Sequence, residues 1–87
     1  MYSIEFTPAA VRQLLRLDAK TRSRIEERID LLHDWPVQGL DVRPLQGRRR
    51  GTYRLRVGQY RAIFLVDEQT GQISVREVGH RSRIYRG

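Results

Sequence analysis

The stretch Gly51 to Val66, GTYRLRVGQYRAIFLV, decides how the rest of this 87-residue chain is read. Two runs of alternating apolar and polar residues flank Gly58-Gln59. A two-residue connection that begins with glycine is a favoured hairpin turn, because glycine reaches positive φ without steric cost. Such a loop sets Val57 opposite Tyr60. Period-two alternation then puts Tyr53, Leu55, Val57, Tyr60, Ala62 and Phe64 on one face and Arg54, Arg56 and Arg61 on the other. In this register Arg56 lies directly across from Arg61, a like-charge pair that disfavours the sheet by a few tenths of a kcal/mol, up to about 1 kcal/mol. An anionic ligand would remove that penalty. A plain solvated face would tolerate it, the arginine stems lying over apolar neighbours.

The distribution of charge separates these two readings better than its size. The net charge is +7. Residues 1–42 carry six cations against seven acids, whereas residues 43–87 carry eleven arginines against Asp67, Glu68 and Glu77, so the whole excess sits in the half that holds the hairpin. Of the seventeen cations only Lys20 is not arginine, a choice suited to bidentate phosphate contacts. The patch points to nucleic acid or an acidic protein partner.

Length and composition bound the rest. Eighty-seven residues make one small domain, 1–87, able to hide roughly 60–65% of its unfolded surface. No run approaches a membrane span, and MYSIEF has neither a basic start nor a long apolar segment, so a cytoplasmic protein without membrane contact is expected. With no cysteine, and two histidines lacking a close carboxylate cluster, no metal or other cofactor is expected.

Along the chain, Tyr2 to Phe6 alternates as a first strand. Thr7 offers an N-cap and Pro8 fits the first helical position, opening a helix to about Leu17 with Val11, Leu14 and Leu15 on its apolar side. Asp18 caps a second helix to about Asp34 on Ile25, Ile29 and Leu32, its charged residues facing water. Pro36 to Arg50 breaks the periodicity, yet Val37, Leu40, Val42 and Leu45 make it a loop packed across the sheet. Arg48-Arg49-Arg50 at its end reads as a phosphate or acidic-protein contact, or as a solubilising turn. Ile73 to Val78 forms a last strand whose alternation slips, through a β-bulge near Arg76-Glu77 or because both faces are partly covered. The expected fold is α+β in the order β-α-α-β-β-β, two antiparallel helices packed on one face of a small, mostly antiparallel four-stranded sheet.

Arginine stays protonated, so the hairpin arginines can hold and neutralise phosphate but cannot act as a general base. The tail supplies His80, whose imidazole can exchange a proton, and Tyr85, a phenol that becomes a better base if nearby arginines lower its pKa. His80 reads equally as a strand-end surface residue, and Tyr85 as an anchor packed on the sheet. Together with the arginines these groups suffice for metal-free RNA cleavage, in which the substrate's 2′-hydroxyl attacks the adjacent phosphate.

The run LQGRRRGTYRLRVGQYRAIFLVD followed by VGHRSRIY resembles the RelE/ParE superfamily of toxin–antitoxin toxins, and within it the RelE-type messenger-RNA interferases. Its most specific parts are Tyr53 to Gly58, Tyr60-Arg61, Gly79-His80-Arg81 and Tyr85. The resemblance implies a cytoplasmic, metal-independent endoribonuclease that enters the ribosomal A site, cuts translated messenger RNA and is neutralised by an acidic antitoxin in a hetero-oligomer. It implies that Arg54 and Arg56 grip the RNA backbone, with Arg48, Arg49, Arg50 and Arg83 as further phosphate contacts. Arg61 would stabilise the transition state, Arg81 would sit by the 5′-oxygen leaving group, Tyr85 would activate the 2′-hydroxyl, and His80 is a candidate acid. The best-known RelE-type members carry lysines where this chain has Arg54 and Arg56, which removes one possible proton donor. Its early end leaves Tyr85 without a following helix. ParE-type relatives share the fold but poison DNA gyrase through protein contact. The joint presence of Arg61, Arg81 and Tyr85 favours the nuclease.

Overall fold

Thr7 adopts an extended conformation and its hydroxyl accepts the Ala10 N–H, so the first helix starts where the sequence offers a cap followed by proline. The computed structural model describes residues 1–84. Strand β1 (Ser3–Phe6) leads into helix α1 (Pro8–Leu15) and helix α2 (Ala19–Asp30), which a 3₁₀ turn (Leu31–Asp34) extends. Asp18 caps α2 by accepting the Thr21 N–H, and the hydrogen bond to Thr21 holds its carboxyl below the usual range. Strands β2 (Val42–Pro44), β3 (Thr52–Val57), β4 (Tyr60–Asp67) and β5 (Gln72–His80) follow, then a single turn α3 (Arg81–Ile84).

The strands form one sheet in the order β1-β5-β4-β3-β2, with β1 parallel to β5 and every other pair antiparallel. The hairpin has the expected register: Val57 faces Tyr60 and Arg56 faces Arg61. Gly58 takes φ +59 at the first loop position while Gln59 keeps negative φ, the pattern of a type II′ turn. Ala10, Leu14, Ile25, Ile29 and Leu32 from the helical layer bury Leu55, Val57, Ala62, Phe64, Ile73 and Val75 on one face of the sheet. Trp35 packs edge-on against Tyr53 and Phe64, at ring-centroid distances of 4.8 and 5.4 Å. Truncating Phe64, fully buried at this junction, is worth about 3–5 kcal/mol.

Four features depart from the sequence reading. The sheet has five strands, because Val42–Pro44, inside the stretch read as a loop, pairs with β3 as a short edge strand. Its Pro44 is tolerated at that edge. Helix α1 ends at Leu15, and Val11 and Leu15 are 42% and 66% exposed, because Ala10 and Leu14 form the stripe that meets the sheet. The small Ala10 permits the close approach of α1 to β5. Strand β5 continues beyond Val78 to His80, and α3 follows it.

The slipped alternation in β5 is a bulge. Phe64 pairs with Val75 and Ile63 with Glu77, leaving Arg76 as the extra residue. Strand β1 ends opposite Val75, so the backbone of β5 beyond that point lacks a neighbour on this side. Helix α1 supplies the missing partners. The Thr7 N–H donates to the Val75 carbonyl, the Thr7 hydroxyl donates to the Arg76 carbonyl, and the Val78 N–H donates to Gln13 Oε1 at 2.7 Å.

Candidate active site on the arginine face

Because the Arg56 N–H points to the Asp41 carbonyl and away from β4, Arg56 and Arg61 form a non-hydrogen-bonded pair, the kind whose side chains approach most closely. Arg61 is only 8% accessible, whereas Arg56 is exposed and its Nε donates to the Gly58 carbonyl. On the other side Arg61 pairs with Gly79, so this row across the sheet reads Arg56, Arg61, then a position with no side chain. Two guanidiniums thus share a row with a position that carries no side chain, a composition suited to holding a phosphate.

The next row is Arg43, Arg54, Ile63, Glu77. Arg54 has a side chain 12% accessible, ion-paired to Asp41 at 3.5 Å, and its Nε is buried without a hydrogen-bond partner among the described residues. Leaving such a donor unmet costs about 1–3 kcal/mol, which an anion seated there would offset. A cleft of about 380 Å³ opens beside it, lined by Asp41, Arg43, Gln46, Arg54 and Arg56. Arg43 was not singled out in the sequence, since nothing there marks Val42–Pro44 as an edge strand.

The three arginines at 48–50 part company. Arg48 reaches Glu77 at 3.3 Å. Its own segment joins β2 to β3, and β3 and β4 lie between, so it spans the outer face over Ile63, which is buried there. Arg48 thus stands one row from Arg61. Arg49 and Arg50 instead line a cleft with Leu65, Asp67 and Glu68. Leu65 is four residues along β4 from Arg61, about 13 Å away at strand rise. The structure does not bring Arg49 and Arg50 to the Arg61 row.

At the tail, Arg81 is exposed and its N–H donates to the Gln59 carbonyl, so it follows directly on the Arg61–Gly79 row at the hairpin end. His80 pairs with Tyr60 across β4 and β5, and their rings meet edge to face at 5.4 Å. Cross-strand partners share a face, and Tyr60 packs against the core. The His80 ring therefore lies on the helix side of the sheet, opposite to Arg54, Arg56 and Arg61. Arg83 is exposed on α3, and Tyr85 lies outside the described residues.

The family model described as ParE toxin of type II toxin-antitoxin system, parDE, matches residues 4–85. Toxin RelG of Mycobacterium tuberculosis is 30% identical over 86 residues, covering 98% of this chain and 97% of that protein. The RelE–RelB complex of Pyrococcus horikoshii superposes with a TM-score of 0.79 at 29% identity, over 94% of this chain and 97% of that one. The RelB–RelE antitoxin–toxin complex of Methanococcus jannaschii gives 0.75 at 30% identity, over 93% and 94%. Sequence match, fold and arginine face converge: the chain belongs to the RelE/ParE superfamily of type II toxin–antitoxin toxins.

Proposed function

We propose that this toxin is a ribosome-dependent endoribonuclease that cuts translated messenger RNA in the A site without a metal ion, and that it is held inactive by an acidic antitoxin. The observation that carries the reading is Arg61, a cation 8% accessible on a rigid central strand, with Arg56 on one side and the bare Gly79 position on the other. A preorganised charge of this kind acts where negative charge develops.

In the proposed reaction Arg54 and Arg56 hold the RNA backbone. Tyr85 takes the proton of the 2′-hydroxyl, and that oxygen attacks the adjacent phosphorus. Arg61 stabilises the charge that builds on the non-bridging oxygens. The 5′-oxygen leaves beside Arg81 and is protonated from water, giving a 2′,3′-cyclic phosphate and a 5′-hydroxyl. His80 takes no acid role here, since its ring is on the helix side.

Inhibition of DNA gyrase is the second reading, favoured by the ParE description of the matching family model. Purified toxin added to a cell-free translation reaction, with message ends mapped and a parallel gyrase supercoiling assay, separates the two. Intact messages with supercoiling inhibited would overturn the nuclease.

A further inference from the structure

Beyond Val75, strand β5 has no strand on its outer side, and a cleft of about 660 Å³ opens there between the end of α1 and α3. It lies off the arginine face, and its lining is chemically specific. Tyr60 and His80 present paired rings, Arg16 and Arg83 are exposed at its rim, and neither arginine has an ion-pair partner among the described residues. Glu77 also borders it but is engaged by Arg48.

The His80 ring is fixed. The Ser82 N–H donates to its Nδ1 at 3.2 Å, and the Ser82 hydroxyl lies 2.9 Å from the same atom. A backbone N–H can only donate, so Nδ1 accepts and neutral His80 carries its proton on Nε2. That donor has no hydrogen-bond partner among the described residues.

We propose that this cleft is a second nucleotide subsite, which takes the ribonucleotide adjoining the scissile phosphate. Its base lies against Tyr60 and receives a hydrogen bond from His80 Nε2, and its phosphate lies between Arg16 and Arg83. The proposal rests on the nuclease reading. Two observations favour RNA over an acidic peptide. An aromatic ring beside a ring donor is a platform for a base. In addition, Gly79 joins the two sites: its pairing with Arg61 puts a position without a side chain between the arginine face and His80, so a strand can turn round the sheet end there. A cleft of this volume is within the range of small-ligand sites.

The test uses the isotopically labelled full-length toxin and a 2′-O-methyl trinucleotide, which binds but has no free 2′-hydroxyl. The Tyr60 and His80 ring signals are expected to shift together with the Arg56 and Arg61 amides. Arg16→Glu/Arg83→Glu, at two exposed positions, is expected to weaken binding at least about tenfold, and Tyr60→Leu about fivefold or more. Shifts confined to the arginine face, with affinity unchanged in the double variant, would overturn the subsite and leave the nuclease standing. A glutamate-rich heptapeptide that moves the Tyr60 and His80 signals when the trinucleotide does not would overturn it in favour of a peptide groove. A trinucleotide that moves neither face would overturn the subsite, while message ends mapped in the cell-free translation reaction decide the nuclease separately.

Discussion

Arg56 and Arg61 face each other as a directly opposed pair on the outer side of the hairpin, one exposed and one buried. Like charges opposed in this way disfavour the sheet, a penalty that a bound phosphate would offset. Arg56→Thr, which keeps strand propensity, should therefore stabilise the free toxin by a few tenths of a kcal/mol to about 1 kcal/mol while weakening RNA binding. Thermal melts with and without the trinucleotide check both halves. A lower melting temperature of the free variant would mean that the pair costs nothing.

Arg61→Ala should lower the single-turnover cleavage rate on saturated ribosomes by at least about 100-fold, the scale of losing one oxyanion-type donor. Arg49→Ala should weaken ribosome binding in a salt-dependent way and leave the saturated rate nearly intact, because Arg49 lines the opposite end of the sheet. Equal effects of the two substitutions on rate would contradict this division.

Cleavage should survive EDTA so long as magnesium is supplied to keep the ribosomes intact, and the products should carry 2′,3′-cyclic phosphate and 5′-hydroxyl ends. End-specific ligation reads this directly. Products with 3′-hydroxyl and 5′-phosphate ends would exclude attack by the 2′-hydroxyl.

Gln13 is the partner of the Val78 N–H at the bulge, where β1 no longer reaches. Gln13→Leu should destabilise the fold by about 1–3 kcal/mol by leaving that donor unmet. Amide exchange at Val78 should speed up more than at Val75, which lies where β1 still pairs with β5. Uniform exchange along β5 would argue that the clamp is not local.

An antitoxin for a chain with this much charge in its second half should be acidic where it contacts the toxin, and its affinity should fall as salt rises. Titration calorimetry at two ionic strengths tests this, with a salt-independent constant as the contrary result.

The hairpin was legible because its information is local. A period-two pattern closed by Gly58-Gln59 dictates the Arg56–Arg61 register whatever surrounds it, and Thr7 and Asp18 cap their helices through backbone groups three residues away. The charge of the second half was likewise written in composition. The sequence did not reveal features set by contacts between distant residues. Val42–Pro44 is a strand only because β3 offers it an edge, and Val11 and Leu15 turn outward because Ala10 meets β5. Arg48 parts from Arg49 because Glu77 waits across two strands. His80 is the sharpest case. The bulge at Arg76 adds one residue to β5, and a one-residue slip moves every later side chain to the opposite face. Composition and spacing put a histidine near the arginines, and tertiary structure decided which side of the sheet it serves.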